Sequence, residues 1–247
     1  MAHRTPLRII TVIPCRNDAN YLRVCLQALA DQSRPSDEVI VVDNASTDDT
    51  ALVAKEFGAH LVREDAVGVG AAAARGYDEA SSRGADIIAR VDADSIPPTD
   101  WIQRVDDAFG PRPSLDALTG IAYFYGCSPL KRWLGEHMYV GLMKPVLTPI
   151  LGRPALFGSN MAMRTALWDS LSDAVDRTNP DVHDDLDLSF RMPGSTRVVA
   201  DQTLIMPVSG RPFDTWQSIG LRLKKAFVTF RNTWPMWIPW VSRTDKR

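Results

Sequence analysis

The chain has 247 residues, 45% hydrophobic and 23% charged, which is the size and balance of one large α/β domain or two small ones. Its formal net charge of −2 excludes a binder of polyanions through bulk charge. The three cysteines, Cys15, Cys25 and Cys127, form neither a Cys-x-x-Cys pair nor an even-numbered framework, so a reducing compartment, the cytoplasm, is expected. Met1 to Arg8 is basic without the apolar centre of a signal peptide, and no run of about 18 apolar residues occurs that would span a membrane as a helix.

In chain order, Leu7 to Ile13 is an apolar run stopped by Pro14, a buried first strand, and the loop Pro14-Cys15-Arg16-Asn17-Asp18 follows it. Tyr21, Leu22, Cys25, Leu26 and Leu29 recur at helical spacing, with Cys15 and Cys25 read as small packing residues. Glu38 to Val42 is a second strand ending at Asp43-Asn44. Ser46 or Thr47 is expected to cap the next helix, with Asp49 in its first turn and Gly58 just past its end. His60 to Arg63 is a short third strand. Gly68-Val69-Gly70 then leads into an alanine-rich helix that runs through Arg75 to Ala80 and closes near Gly84. Ile87-Ile88-Ala89 begins a fourth strand that runs into Arg90-Val91-Asp92-Ala93-Asp94-Ser95 and stops at Pro97-Pro98.

Strand and helix thus alternate four times in the first hundred residues, the pattern of a parallel sheet with crossover helices. Ligands of such sheets bind beyond the carboxyl ends of the strands, where Asp18, Asp43 and the Asp92/Asp94 pair all fall. Residues two apart on a strand share a side, so Asp92 and Asp94 converge. Two carboxylates there suit a hard divalent cation that completes its shell with waters and phosphates.

Beyond Pro98 the pattern changes. Trp101, Ile102, Val105 and Phe109 indicate a helix ending at Gly110, and Leu118 to Tyr125 a strand. Leu130 to Leu151 is apolar and interrupted by prolines, with no assignable period. Leu156 to Met163 reads as a loop turning into a strand, and His183-Asp184-Asp185-Leu186-Asp187 opens a helix running to Arg191. Asp187 and Arg191 stand four apart, as in a helical ion pair, and acidic residues at a helix start are favoured by its dipole. From about Asp214 a last helix leads into the aromatic and basic tail Trp234-Pro235-Met236-Trp237-Ile238-Pro239-Trp240, which its prolines keep from being helical.

The ordered set comprises the strand ending at Pro14, Val41-Val42-Asp43-Asn44, Ser46-Thr47-Asp48, the Gly-rich start of an alanine helix, Asp92-Ala93-Asp94, Gly158-Ser159-Asn160, and Asp184-Asp185 with Arg191. Over roughly residues 7 to 211 it resembles the family 2 glycosyltransferases. That resemblance implies the GT-A fold, an α/β architecture with a mostly parallel twisted sheet, helices on both faces and a Rossmann-like nucleotide-binding first half. It implies nucleotide-binding residues 1–110, an acceptor-binding and catalytic half at 111–212 of the same domain, and a C-terminal helix and tail at 213–247. It also implies an inverting transfer, a nucleotide-diphosphate-sugar donor and a divalent metal, Mn or Mg. The Gln-x-x-Arg-Trp signature of processive polymerases is absent, since Ser218-Ile219-Gly220-Leu221 follows Gln217, so transfer of one sugar is expected.

By the same resemblance, Pro14, Arg16, Asp43 and Asn44 would meet the base and ribose, Asp92 the ribose or the metal, and Asp94 the metal. A carboxylate suits the base and ribose because their imide N–H and hydroxyls are donors. Gly70 and Arg75 lie where a diphosphate could be reached, and for Arg75 a solvated helix face is the equal alternative. Direct displacement needs a proton acceptor for the attacking hydroxyl, and a carboxylate ionised at neutral pH can serve. The family's acidic pair places it second, at Asp185, although Asp-Asp stands here for the commoner Glu-Asp and keeps Asp184 in contention. A later histidine ligand of many relatives is missing from Thr203 to Arg211, so Asp94 and the diphosphate would hold the metal, with Arg211 beside the leaving phosphate.

Other readings fit less well. A haloacid-dehalogenase-like hydrolase would carry Asp-x-Asp after its first strand. A sugar nucleotidyltransferase would carry a Gly-rich, Arg-containing loop there. The alternative from another class is an inert nucleotide-sugar-binding or scaffold protein, against which Asp92, Asp94 and Asp185 speak. The acceptor is expected to be a saccharide or a lipid-linked, cell-envelope glycan, with no nucleic acid involved. The tryptophans and basic residues of the tail imply peripheral contact with the inner face of a membrane.

Overall fold

A computed structural model describes residues 6–135, 147–211 and 216–233. Its sheet contains β1 (Ile9–Cys15), β2 (Glu38–Asp43), β3 (His60–Arg63), β4 (Ile87–Arg90), β5 (Ala117–Tyr125), β6 (Met161–Arg164) and β7 (Val198–Ser209). Helices α1 (Ala19–Ala30), α2 (Thr50–Glu56), α3 (Val69–Ser82), α4 (Trp101–Phe109), α5 (Pro129–Leu134), α6 (Thr165–Leu171), α7 (Asp184–Arg191) and α8 (Trp216–Thr233) accompany it. The seven strands form one sheet in the order β3-β2-β1-β4-β6-β5-β7. All neighbours run parallel except β6, which lies antiparallel to both β4 and β5.

The first half follows from the residues. β1 is buried along its whole length because β2 and β4 flank it and helices cover both faces, and its Ile and Val side chains suit a doubly covered strand. One core, with Ile9, Ile13, Leu22, Leu26, Val41, Trp101 and Phe109, packs α1 and α4 on one face of the sheet. The other, with Val12, Val42, Tyr77, Ala73, Met163 and Trp168, packs α3 and α6 on the opposite face. The alanines of α3 allow a close approach, and at Gly76 even a Cβ would lie 2.4 Å from a Val12 methyl group.

Three features differ from expectation. Ser46 and Thr47 do not cap α2. Ser46 Oγ instead accepts from the Asn17 N–H at 3.1 Å, Thr47 N–H donates to Asn17 at 2.7 Å, and Asp48 takes the Thr50 N–H at 3.1 Å. Within the stretch that had no readable period, α5 starts at Pro129 with Ser128 as its cap. The strand β7 and the helix α6 also went unread. Gly58, by contrast, closes the second helix with a left-handed φ of 68°. The tail from Trp234 to Trp240, and the residues Phe213 and Asp214, lie outside the described residues. Among the described residues no helix is long and apolar enough to cross a membrane.

Burial pushes the Cys15 thiol up to about 12 and raises Cys25 as well, so neither forms thiolate near neutral pH, whereas Cys127 is partly exposed. Brief alkylation of the native protein at pH 8, read by peptide mass spectrometry, should label Cys127 and leave Cys15 and Cys25 untouched. Label at either buried thiol before unfolding would contradict this packing.

Candidate active site

β1, β2 and β4 end on one edge of the sheet, and the chain leaving β4 carries Asp92 and Asp94 across it. The antiparallel β6 pairs Arg90 with Met161, so the residues just before β6 return to the end of β4. That return brings Gly158, Ser159 and Asn160 against the acidic stretch, and each has a separate task. Ser159 Oγ donates to Asp92 Oδ2. Asn160 accepts from Trp101 Nε1 at 3.0 Å and donates to the carbonyls of Ile121 and Leu204 at 3.0 and 2.8 Å, joining α4, β5 and β7. Gly158 lies flat on the Arg90 guanidinium, where a Cβ would stand 2.9 Å from Cζ, and its N–H donates to Asp185 Oδ2 at 3.0 Å.

Arg90 is 2% exposed. Its Nη1 donates to Asp184 and, at 3.3 Å, to the Tyr77 hydroxyl, and its Nη2 donates to Asp92 Oδ1 at 3.0 Å. Burial works against the guanidinium charge, but Asp184 outweighs it and holds the group well above its ordinary value. Burial pushes the Asp184 carboxyl upward, and Arg90 opposes that shift.

The helix α7 is fixed from several directions. Asp187 accepts from Arg191 Nε at 2.7 Å, the helical pair expected, and from the Asp176 N–H at 2.9 Å. Arg153 donates to the carbonyls of Ser189, Met192 and Pro193, which satisfies the end of the helix. His183 N–H donates to Thr229 Oγ1 at 2.8 Å, which ties the start of α7 to α8.

These elements enclose a cleft of about 720 Å³. Asp92, Asp94, Asp184, Asp185 and Arg211 line its polar side, and Phe124, Leu147, Leu156, Phe157 and Leu221 are among its apolar walls. Burial, then the neighbouring Asp92, pushes the Asp94 carboxyl up to about 6 against the pull of Arg211. Arg211 bridges Asp18 at 2.7 Å and Asp94 at 3.1 Å and stacks over the Tyr21 ring at 3.9 Å. Asp94, which resists its own charge, and its neighbour Asp92 form an oxygen donor set suited to a divalent cation. Among the described residues no cluster of three or more His, Cys, Asp or Glu side chains is arranged for a metal, so Asp92 and Asp94 would be the protein's share.

The remaining expected residues lie outside the walls of this cleft. Pro14 is buried in β1 and Arg16 is exposed beyond it. Asp43 is 5% exposed and accepts from the Ser46 N–H at 2.9 Å. Asn44, expected at the base and ribose, uses its amide on the loop before α3: it donates to the carbonyls of Glu64 and Ala66 and accepts from the Gly68 N–H. Gly70 abuts the Asp176 carbonyl, and Arg75 pairs with Glu79 at 3.5 Å on an exposed face, the solvated alternative. Arg90, Gly158, Ser159 and Tyr77 were absent from the expected site. An arginine ending an all-apolar strand was the available signal, since a buried guanidinium requires partners.

The family model for glycosyl transferase family 2 matches residues 10–169. The chain is 34% identical over 104 residues to glycosyltransferase AglE of Haloferax volcanii, covering 39% of this chain and 33% of that protein. It is 40% identical over 86 residues to an uncharacterized glycosyltransferase of Mycobacterium tuberculosis, covering 35% of this chain and 36% of that one. The chain therefore spans about a third of these curated relatives. In three dimensions it is similar to glucosyl-3-phosphoglycerate synthase from Mycobacterium tuberculosis, solved with Mn2+, UDP and glucosyl-3-phosphoglycerate, at a TM-score of 0.68 and 21% identity over 94% of this chain and 80% of that one. The same synthase solved with Mg2+ and UDP gives a TM-score of 0.66 at 21% identity, over the same 94% and 80%.

Because Gly158 lies against a buried guanidinium, Gly158→Ala should cost about 1–3 kcal/mol in denaturant unfolding through overpacking. Gly194→Ala, with no atom within 4 Å of its added Cβ, should be near neutral. Equal effects of the two substitutions would refute the packing described for Gly158.

Proposed function

The chain belongs to glycosyl transferase family 2 and has the GT-A fold, and on that premise we propose that it moves one sugar from a nucleotide-diphosphate donor to an acceptor hydroxyl with inversion. The observation that carries this reading is that Asp92, Asp94 and Asp185 all line a single cleft. The Mn2+, Mg2+ and UDP bound by the synthase of similar fold favour a uridine donor and either metal.

Asp94, with Asp92, would hold the cation, which when bound neutralises the departing diphosphate. Arg211, at the same end of the cleft, supplies a further positive charge for the leaving phosphate. Asp184 is committed to Arg90, whereas Asp185 accepts from the Gly158 and Leu186 N–H groups and lines the cleft. Asp185 is therefore the base. The acceptor oxygen forms its bond to the anomeric carbon, the bond to the diphosphate breaks with its electron pair leaving on the diphosphate, and the hydroxyl proton passes to Asp185. A single displacement of this kind inverts the anomeric carbon.

The apolar walls at Phe124, Leu147, Leu156 and Leu221 favour an acceptor with an apolar portion, such as a lipid-linked glycan. Near them α5 exposes Leu130 and Trp133 beside Lys131 and Arg132, which suits action at the inner face of a membrane.

Asp185→Asn keeps the shape and removes proton acceptance. It should lower sugar transfer by about 10²–10⁴-fold while UDP affinity in manganese stays near wild type. Near-wild-type turnover in a steady-state assay would remove Asp185 from the role, and an Asp184→Asn variant that alone lost turnover would move the role to Asp184.

A further inference from the structure

We propose that Arg90 is a positioning residue of the transfer reaction, spacing the donor-side carboxylate Asp92 from the acidic pair on α7 and, by engaging Asp184, leaving Asp185 to face the acceptor. The inference rests on the transferase reading given above. The side-chain hydrogen-bond partners of Arg90 are walls or supports of the cleft: Asp184 on α7, Tyr77 on α3, and Asp92 on the chain leaving β4. The guanidinium therefore spans carboxylates 92 residues apart in sequence, one in each half of the chain. Gly158 touches the face of this group and binds Asp185 through its own N–H, so the plane of Arg90 and the location of Asp185 are set together.

Stability alone does not require this arrangement. Replacing a buried ion pair with apolar residues of similar volume is often neutral or stabilising, so the pair's value lies in its geometry. A lysine could supply the charge but not the fork, because an ammonium is a single point and cannot hold Asp92 and Asp184 in a fixed relation.

The test compares Arg90→Lys, Arg90→Met and the double variant Arg90→Met/Asp184→Leu with wild type. Melting temperature, UDP affinity in manganese, and transfer from UDP-sugars to octyl glucoside are measured for each. Arg90→Lys should fold, keep UDP affinity within about threefold, and lose on the order of 100-fold in kcat, a size expected for a misplaced base. The double variant should recover the melting temperature that Arg90→Met loses, but not its kcat. A kcat for Arg90→Lys within threefold of wild type, a loss confined to UDP affinity, or a double variant that regains both stability and kcat would overturn the positioning role while leaving the transferase reading intact. A wild-type protein inert toward every UDP-sugar would overturn both.

Discussion

The site depends on one positive charge held out of water. Arg90 is 2% exposed, and moving a guanidinium into such a position costs several kcal/mol before any partner is counted. Asp184 at Nη1 and Asp92 at Nη2 offset that cost, and Tyr77 adds a neutral acceptor. The Arg90 Nε has no hydrogen-bond partner among the described residues, so the group is held by its two terminal nitrogens. Removing either carboxylate would leave an uncompensated buried charge, which in such pairs costs about 3–5 kcal/mol. Two of the carboxylates around the cleft, Asp92 and Asp184, thus share one guanidinium and cannot vary independently.

The antiparallel strand β6 makes this possible. Inserted between β4 and β5, it reverses the chain so that the segment leading into it meets the end of β4. Gly158, Ser159 and Asn160 then reach Arg90, Asp92 and Trp101 in turn. Gly120 completes the fit, because a Cβ there would fall 2.1 Å from Asn160 Nδ2 and 2.3 Å from the Leu204 carbonyl, at the point where the β5–β7 register shifts. Three residues of a loop therefore set Asp185, Asp92 and the joint between sheet and helix.

Much of this frame is legible in the chain. β1 to β4 announce themselves through apolar runs closed by Pro14, Asp43 and Asp92, and the helices between them through period and glycine. β7 hides because it is an edge strand, alternately exposed and carrying Pro207, which an edge tolerates and a central strand does not. α6 is too short to establish a period. At the site, the carboxylates are readable because acids at strand ends have few structural reasons to gather. Arg90 is legible only as an arginine ending an apolar strand, and the fold alone reveals its partners. Asn44 shows the converse: beside Asp43 it reads as a ligand contact, and it serves to pin the loop from Glu64 to Gly68.

Burial and Asp92 act against the charge of Asp94, and Arg211, just past the end of β7, answers it. A divalent cation carrying a nucleoside diphosphate would satisfy the same carboxylates more fully, and that proposed linkage is the account's central claim. Calorimetric titration of UDP into the wild-type and Asp94→Ala proteins, each with manganese and with chelator, tests it directly. The account predicts binding for the wild-type protein with manganese and its loss in the other three conditions. Equal UDP affinity in all four would contradict it.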